Sequence, residues 1–163
     1  MPNEIDSILK KEGGEQNHPA DRDGPLPTKF GITAGTLSEW LGRPATISDI
    51  NALTKVVAAE IYEKFYIKVF DKIPESMLKS NMIDFGVLSG TSRAIINLQE
   101  ELGVEADGVI GPKTLTALSL VNLDRLNISI TKRRVKLVGR LCVKDPSQLA
   151  FLNGWLNRIL SFL

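Results

Sequence analysis

Glu12 ends a short segment, NEIDSILKKE, whose apolar residues Ile5, Ile8 and Leu9 fall on one helical stripe, and Gly13-Gly14 follows as a stop signal. Its carboxyl is therefore expected at a helix C-terminus, beside unsatisfied carbonyls at the negative end of the helix dipole, where a further negative charge is disfavoured. Partial burial against Phe30, Ile32 or a tyrosine would raise its pKa further. A carboxyl still protonated near neutral pH is what a general acid must be. An ordinary solvated helix-end carboxylate is the competing reading, and local pattern alone favours it. Asp21 and Thr28 follow Glu12 with eight and then six residues intervening. They sit in a polar stretch broken by Pro19, Gly24, Pro25 and Pro27 that reads as an ordered functional loop.

Other chemistries find little support. His18 is the only histidine and Cys142 the only cysteine. A multi-cysteine zinc site and an intramolecular disulfide are excluded, no metal or cofactor is expected, and a serine or cysteine nucleophile has no evident histidine partner. Twenty basic against nineteen acidic residues give a formal charge of +1, with no basic stripe interleaved with aromatics, so no nucleic-acid partner is expected. Lys132, Arg133, Arg134, Lys136 and Arg140 form the densest positive cluster. It reads first as a solvated helix face and second as a surface that meets an anionic polymer.

The elements that must position these residues are helices. Apolar residues recur at helical spacing in 33–41, near 48–53, in 55–70 (Val57, Ile61, Phe65, Val69, with Thr54 as cap), 74–88, 92–102, 112–121, 124–143 and 146–162. Strand-like alternation is nearly absent. The expectation is a mainly α helical bundle with a short β-hairpin near residues 15–32. At 163 residues one core is the natural starting point, with the stretch Gly103–Gly111 as the only plausible hinge. Asp107-Gly108 and Gly111-Pro112 read as a structural turn leading into a helix. Trp155 and Arg158 read as packing residues, and the apolar C-terminal stretch as docking into a core rather than a membrane. Tyr62 and Tyr66 divide evenly between packing and walling a sugar-binding cleft.

The order Glu, eight residues, Asp, then Thr resembles phage-type lysozymes, with one extra residue before the threonine. A closer resemblance is to the secretion-activator muramidases of glycoside hydrolase family 108. It rests on Glu12-Gly13-Gly14, Asp21, Asp23-Gly24, Thr28 and Gly31-Ile32-Thr33, and on the later words AAEIYEKFY (58–66), MIDFGVLSG (82–90), INLQEELGVEADGVIGPKTLTAL (96–118) and FLNGWLNRI (151–159). The segment DGVIGPKT also resembles a turn of small peptidoglycan-binding modules.

The resemblance implies a single lysozyme-like domain with a catalytic lobe at 1–90 and a peptidoglycan-binding-like helical lobe at 91–163. It implies hydrolysis of the β-1,4 bond between N-acetylmuramic acid and N-acetylglucosamine. Glu12 is then the general acid, Asp21 steers or deprotonates water, Thr28 holds that water, and Tyr62, Tyr66 and Asp23 contact substrate. Asp23 stands where the family commonly has glycine, and Glu15 where it has an aromatic residue; both lie within the same loop as Asp21 and so rival it as the second carboxylate. Ile67 stands where the family often has tryptophan. A lytic transglycosylase using Glu12 alone, and an inactive peptidoglycan-binding module, are the alternatives. The expected partner is the glycan strand, and the expected state a monomer without stable membrane insertion. The N-terminus lacks the apolar core of a signal peptide. Action at the wall or in the periplasm is therefore expected to follow holin-like or other non-classical export.

Overall fold

The computed structural model describes Ile5, Ile8 and residues 27–163. Ile5 and Ile8 are helical and Ile8 is buried, while the remainder of the expected helix 3–12 lies outside the described residues. The chain forms two compact units, Met1–Phe65 and Tyr66–Leu163.

In the first unit, Lys29 and Ile32 pair in an isolated antiparallel bridge around a two-residue turn. This is the described part of the expected hairpin; residues 15–26 lie outside the described residues, and no longer strand occurs among the described ones. Thr33 then caps α1 (Ala34–Leu41) by accepting the Thr36 N–H, and Gly42 ends it in the left-handed region at φ 67°. α2 (Ile47–Ala52) opens on a capping box in which the Thr46 hydroxyl accepts from Asp49 N and Asp49 accepts from Thr46 N. Arg43 grips the same carboxylate with two bonds of 2.9 and 2.8 Å, and this pairing holds the Asp49 carboxyl well below the usual range. α3 (Lys55–Tyr62) has Thr54 as its cap, as its sequence predicts.

The predicted single helix 55–70 does not persist as such. It passes through a π-helical turn at Glu63–Ile67 and a 3₁₀ turn at Lys68–Phe70. The wider turn breaks the four-residue register that the spacing of Val57, Ile61, Phe65 and Val69 implies.

The second unit is built around α4 (Met77–Ser89). Its start differs from the expected Pro74 because the Ser76 hydroxyl accepts from Lys79 N and so fixes the first turn. Leu78, Met82, Ile83 and Phe85 are buried together with Asn81 and Asp84, so nearly the whole circumference of this helix is covered. It packs on α5 (Thr91–Leu102) and α7 (Leu123–Lys144); α6 (Pro112–Ser119) packs on α5, and α8 (Leu149–Leu160) on α7. Close approach is achieved at Gly86, where a Cβ would come within 3.0 Å of the Phe70 ring.

A polar spine runs through this core. Arg134, only 2 % exposed, reaches Asp84 at 2.6 Å and the Asn81 side-chain oxygen at 2.6 Å, and Arg158 donates to the other Asp84 oxygen at 2.8 Å. The guanidinium of Arg134 lies 5.2 Å from the Phe85 ring centroid and 5.5 Å from that of Phe162. Asn81 donates to Asn127 and Thr131, and Asn127 to the carbonyl of Phe162. Burial pushes the Arg134 guanidinium below its ordinary value, and the opposing pull of Asp84 keeps it paired. Arg134 therefore leaves the surface cluster to which its neighbours in sequence assign it.

The turn Asp107–Gly108 is organised by buried Gln99, which donates to Asp107 (2.7 Å) and to the Val109 carbonyl (2.9 Å) and accepts from Gly108 N (2.8 Å). The bond from Gln99, with a second from Val109 N, lowers the Asp107 pKa. Gly108 sits at φ 76°, and a Cβ there would lie 2.9 Å from Ser92 Oγ. Gly108→Ala should therefore cost about 1–3 kcal/mol in urea denaturation. An unchanged midpoint would show that the turn has room to relax.

These elements make the mainly α, lysozyme-like architecture expected from the sequence. By packing, the break between units falls after Phe65, N-terminal to the lobe boundary expected at residue 90.

Candidate active site

Glu12, Asp21 and Asp23, with Glu15 and His18, lie outside the described residues. The described members of the expected set are Thr28, Tyr62 and Tyr66.

Thr28 is half-buried and immediately precedes the turn Lys29–Ile32. Phe30 and Gly31, at the centre of that turn, take φ values of 54° and 74°. Two consecutive positive φ values match the twist of a tight hairpin turn, but an aromatic residue in the left-handed region is strained. The surroundings hold it there. The Tyr62 hydroxyl on α3 donates to the Phe30 carbonyl at 2.9 Å, Lys29 Nζ donates to the Asn51 carbonyl at the end of α2 at 2.7 Å, and Ile32 is buried. The turn closes on itself with Ile32 N donating to the Lys29 carbonyl at 2.9 Å. The segment that follows Thr28 is thus tied to two helices of its own unit.

Tyr62 is 1 % exposed. Its ring is buried, and its hydroxyl makes the bond that fixes the Phe30 carbonyl. Tyr66 is half-buried, lies in the π-helical turn and belongs to the second unit. The structure therefore links Tyr62 to the turn beside Thr28 within the first unit.

The supporting parts played by Phe30, Lys29 and Asn51 have weak sequence signals. Gly31 marks a turn, but its partners lie 22 and 32 residues away. Trp40, a further aromatic of this unit, packs edge-on against Phe65 with ring centroids 6.2 Å apart, and Lys64 Nζ lies 5.1 Å from the centroid of each ring.

Among the described residues no cluster of three or more His, Cys, Asp or Glu side chains could hold a metal ion, and no helix is long and apolar enough to cross a membrane. What the described geometry provides is a braced turn immediately after Thr28, held by Lys29, the Phe30 carbonyl and its own backbone bond.

A search of curated proteins finds no match. Residues 93–160 match the family model described as "Predicted Peptidoglycan domain". The structure of Brucella abortus SagA is similar over 97% of this chain and 92% of that chain, at 32% sequence identity and a TM-score of 0.80. Residues 5–90, more than half of the sequence, match the model described as Glycosyl hydrolase 108, and the chain belongs to that family.

Proposed function

We propose that the protein hydrolyses peptidoglycan at the β-1,4 bond between N-acetylmuramic acid and N-acetylglucosamine. The observation that carries this reading is the succession, in one chain, of a glycosyl hydrolase 108 match over residues 5–90 and a peptidoglycan-domain match over residues 93–160. On this reading residues 1–90 act as the catalytic part and residues 91–163 as the part that contacts the wall polymer.

In this mechanism Glu12 donates its proton to the departing glycosidic oxygen, a role favoured by a helix C-terminus that disfavours the ionised carboxylate. Asp21 draws a proton from the attacking water, with Asp23 and Glu15 as the nearby rivals for that part. Thr28, carried on the braced turn, holds the water, and Tyr62 acts through the turn rather than on the sugar. A separation of about 6.5–9.5 Å between the two carboxyls would leave room for water and invert the anomeric centre, whereas about 5–5.5 Å would bring the second carboxylate to the sugar as nucleophile. Tyr66 contributes a contact to the glycan. No cofactor is needed for these steps.

Incubation of the purified protein with isolated sacculi should clear them and release new reducing ends. Sacculi that bind the protein yet never clear between acid and neutral pH would instead identify a binding module that has lost activity.

A further inference from the structure

Along one face of α7, Lys132, Arg133, Lys136 and Arg140 line a groove of about 410 Å³ whose opposite wall is the C-terminal half of α5. Glu100 and Glu101 lie in the same groove, and Arg133 binds both, through NH1 to Glu100 at 2.7 Å and through Nε to Glu101 at 2.6 Å. The pairing with Arg133 lowers the Glu101 pKa, and both carboxylates of the groove are already engaged by that guanidinium. Lys132, Lys136 and Arg140 are exposed, and none of the three forms an ion pair with a described residue.

These three cations stand four residues apart, which spaces them by about 6 Å along the helix axis. Like charges at that spacing destabilise a helix, and Glu101, already held by Arg133, offsets only part of this row through its attraction to Lys136. The chain as a whole carries only +1, so the positive charge is a local property of this face rather than of the protein. Arg133 shows that carboxylates fit the groove.

We propose that this groove binds the carboxylates of the short peptides borne on the muramic acid residues of peptidoglycan, so that the C-terminal unit recognises the peptide as well as the glycan. The proposal rests on the peptidoglycan reading above. The match of residues 93–160 places the row within the segment assigned to that polymer. The neutral acetamido sugars of the glycan would not call for a row of cations, whereas a polymer presenting carboxylates at repeated intervals would.

The test is brief cold co-sedimentation of the full-length protein and of its Lys132→Glu/Lys136→Glu/Arg140→Glu variant. Probes are intact sacculi, sacculi treated with hydrofluoric acid to remove phosphodiester polymers, and sacculi whose peptide carboxylates have been converted to methylamides with a carbodiimide and methylamine. The substituted side chains are exposed, and an unchanged circular dichroism melt verifies the fold. Charge reversal should weaken binding to intact and acid-treated sacculi about tenfold, with the wild-type advantage shrinking as salt rises. The two proteins should bind carboxyl-blocked sacculi alike.

Equal binding to intact sacculi would overturn the proposal. So would a wild-type advantage that persists on carboxyl-blocked sacculi, or one that disappears once phosphodiester polymers are removed. Release of reducing ends from intact sacculi by the wild-type protein is followed in parallel. Its absence would sink the hydrolase reading, whereas the difference in sedimentation decides the groove by itself.

Discussion

Glu12→Gln should lower the release of reducing ends from sacculi by about 10²–10⁴-fold while leaving the melting transition in place. Glutamine keeps the shape of the side chain and its capacity to hydrogen-bond, but has no acidic proton to give to a leaving oxygen. The loss should appear in kcat, because the proton is transferred in the transition state and contributes little to holding the glycan. Asp21→Asn should also reduce turnover strongly. If Asp23 or Glu15 serves instead, the corresponding amide variant will show that loss and Asp21→Asn will not. Undiminished turnover in Glu12→Gln would remove this residue from the mechanism.

Asp84→Ala should destabilise the protein by about 3–5 kcal/mol, read as a lower urea midpoint. Asp84 is 4 % exposed and receives bonds from Arg134 at 2.6 Å and from Arg158 at 2.8 Å. Its removal leaves two guanidinium groups near one another in the core without their shared counter-ion, an arrangement far costlier than losing one surface pair. The effect should be on folding, with residual activity per folded molecule little changed. A midpoint within about 1 kcal/mol of the wild type would mean that the cations find other partners or reach water.

Much of this fold is legible from local chemistry. Thr33, Thr46 and Thr54 each precede an apolar run and each caps the helix that follows. Glycine marks the ends of α1 and α5, where Gly42 and Gly103 take φ values of 67° and 69°. The π-helical turn at Glu63–Ile67 is not legible, because apolar residues four apart suit both a straight helix and one with a widened turn. Pro74 and Ser76 are both good helix openers, and the bond from Lys79 N to Ser76 Oγ decides between them.

Long-range pairing is the second limit. Arg134 sits in a run of cations and looks like its neighbours. It turns inward because Asp84, fifty residues earlier, supplies a buried counter-charge. Of the candidate site, the order Glu12, Asp21, Thr28 is visible in the sequence, and only Thr28 of these three lies among the described residues. The brace beside it is a tertiary feature. Nothing near Phe30 announces that a tyrosine hydroxyl 32 residues away will hold its carbonyl. Conversely, the spacing of Tyr62 and Tyr66 gives both the same prospects, and burial separates them.

The central claim is that water, activated opposite a proton-donating Glu12, cleaves the glycan. Digestion of sacculi in water enriched in ¹⁸O, followed by mass spectrometry of the released fragments, tests it most directly. Hydrolysis predicts one ¹⁸O atom at each new reducing end. Unlabelled fragments closed as 1,6-anhydro sugars would contradict it, because the bond would then have been broken by the sugar's own hydroxyl.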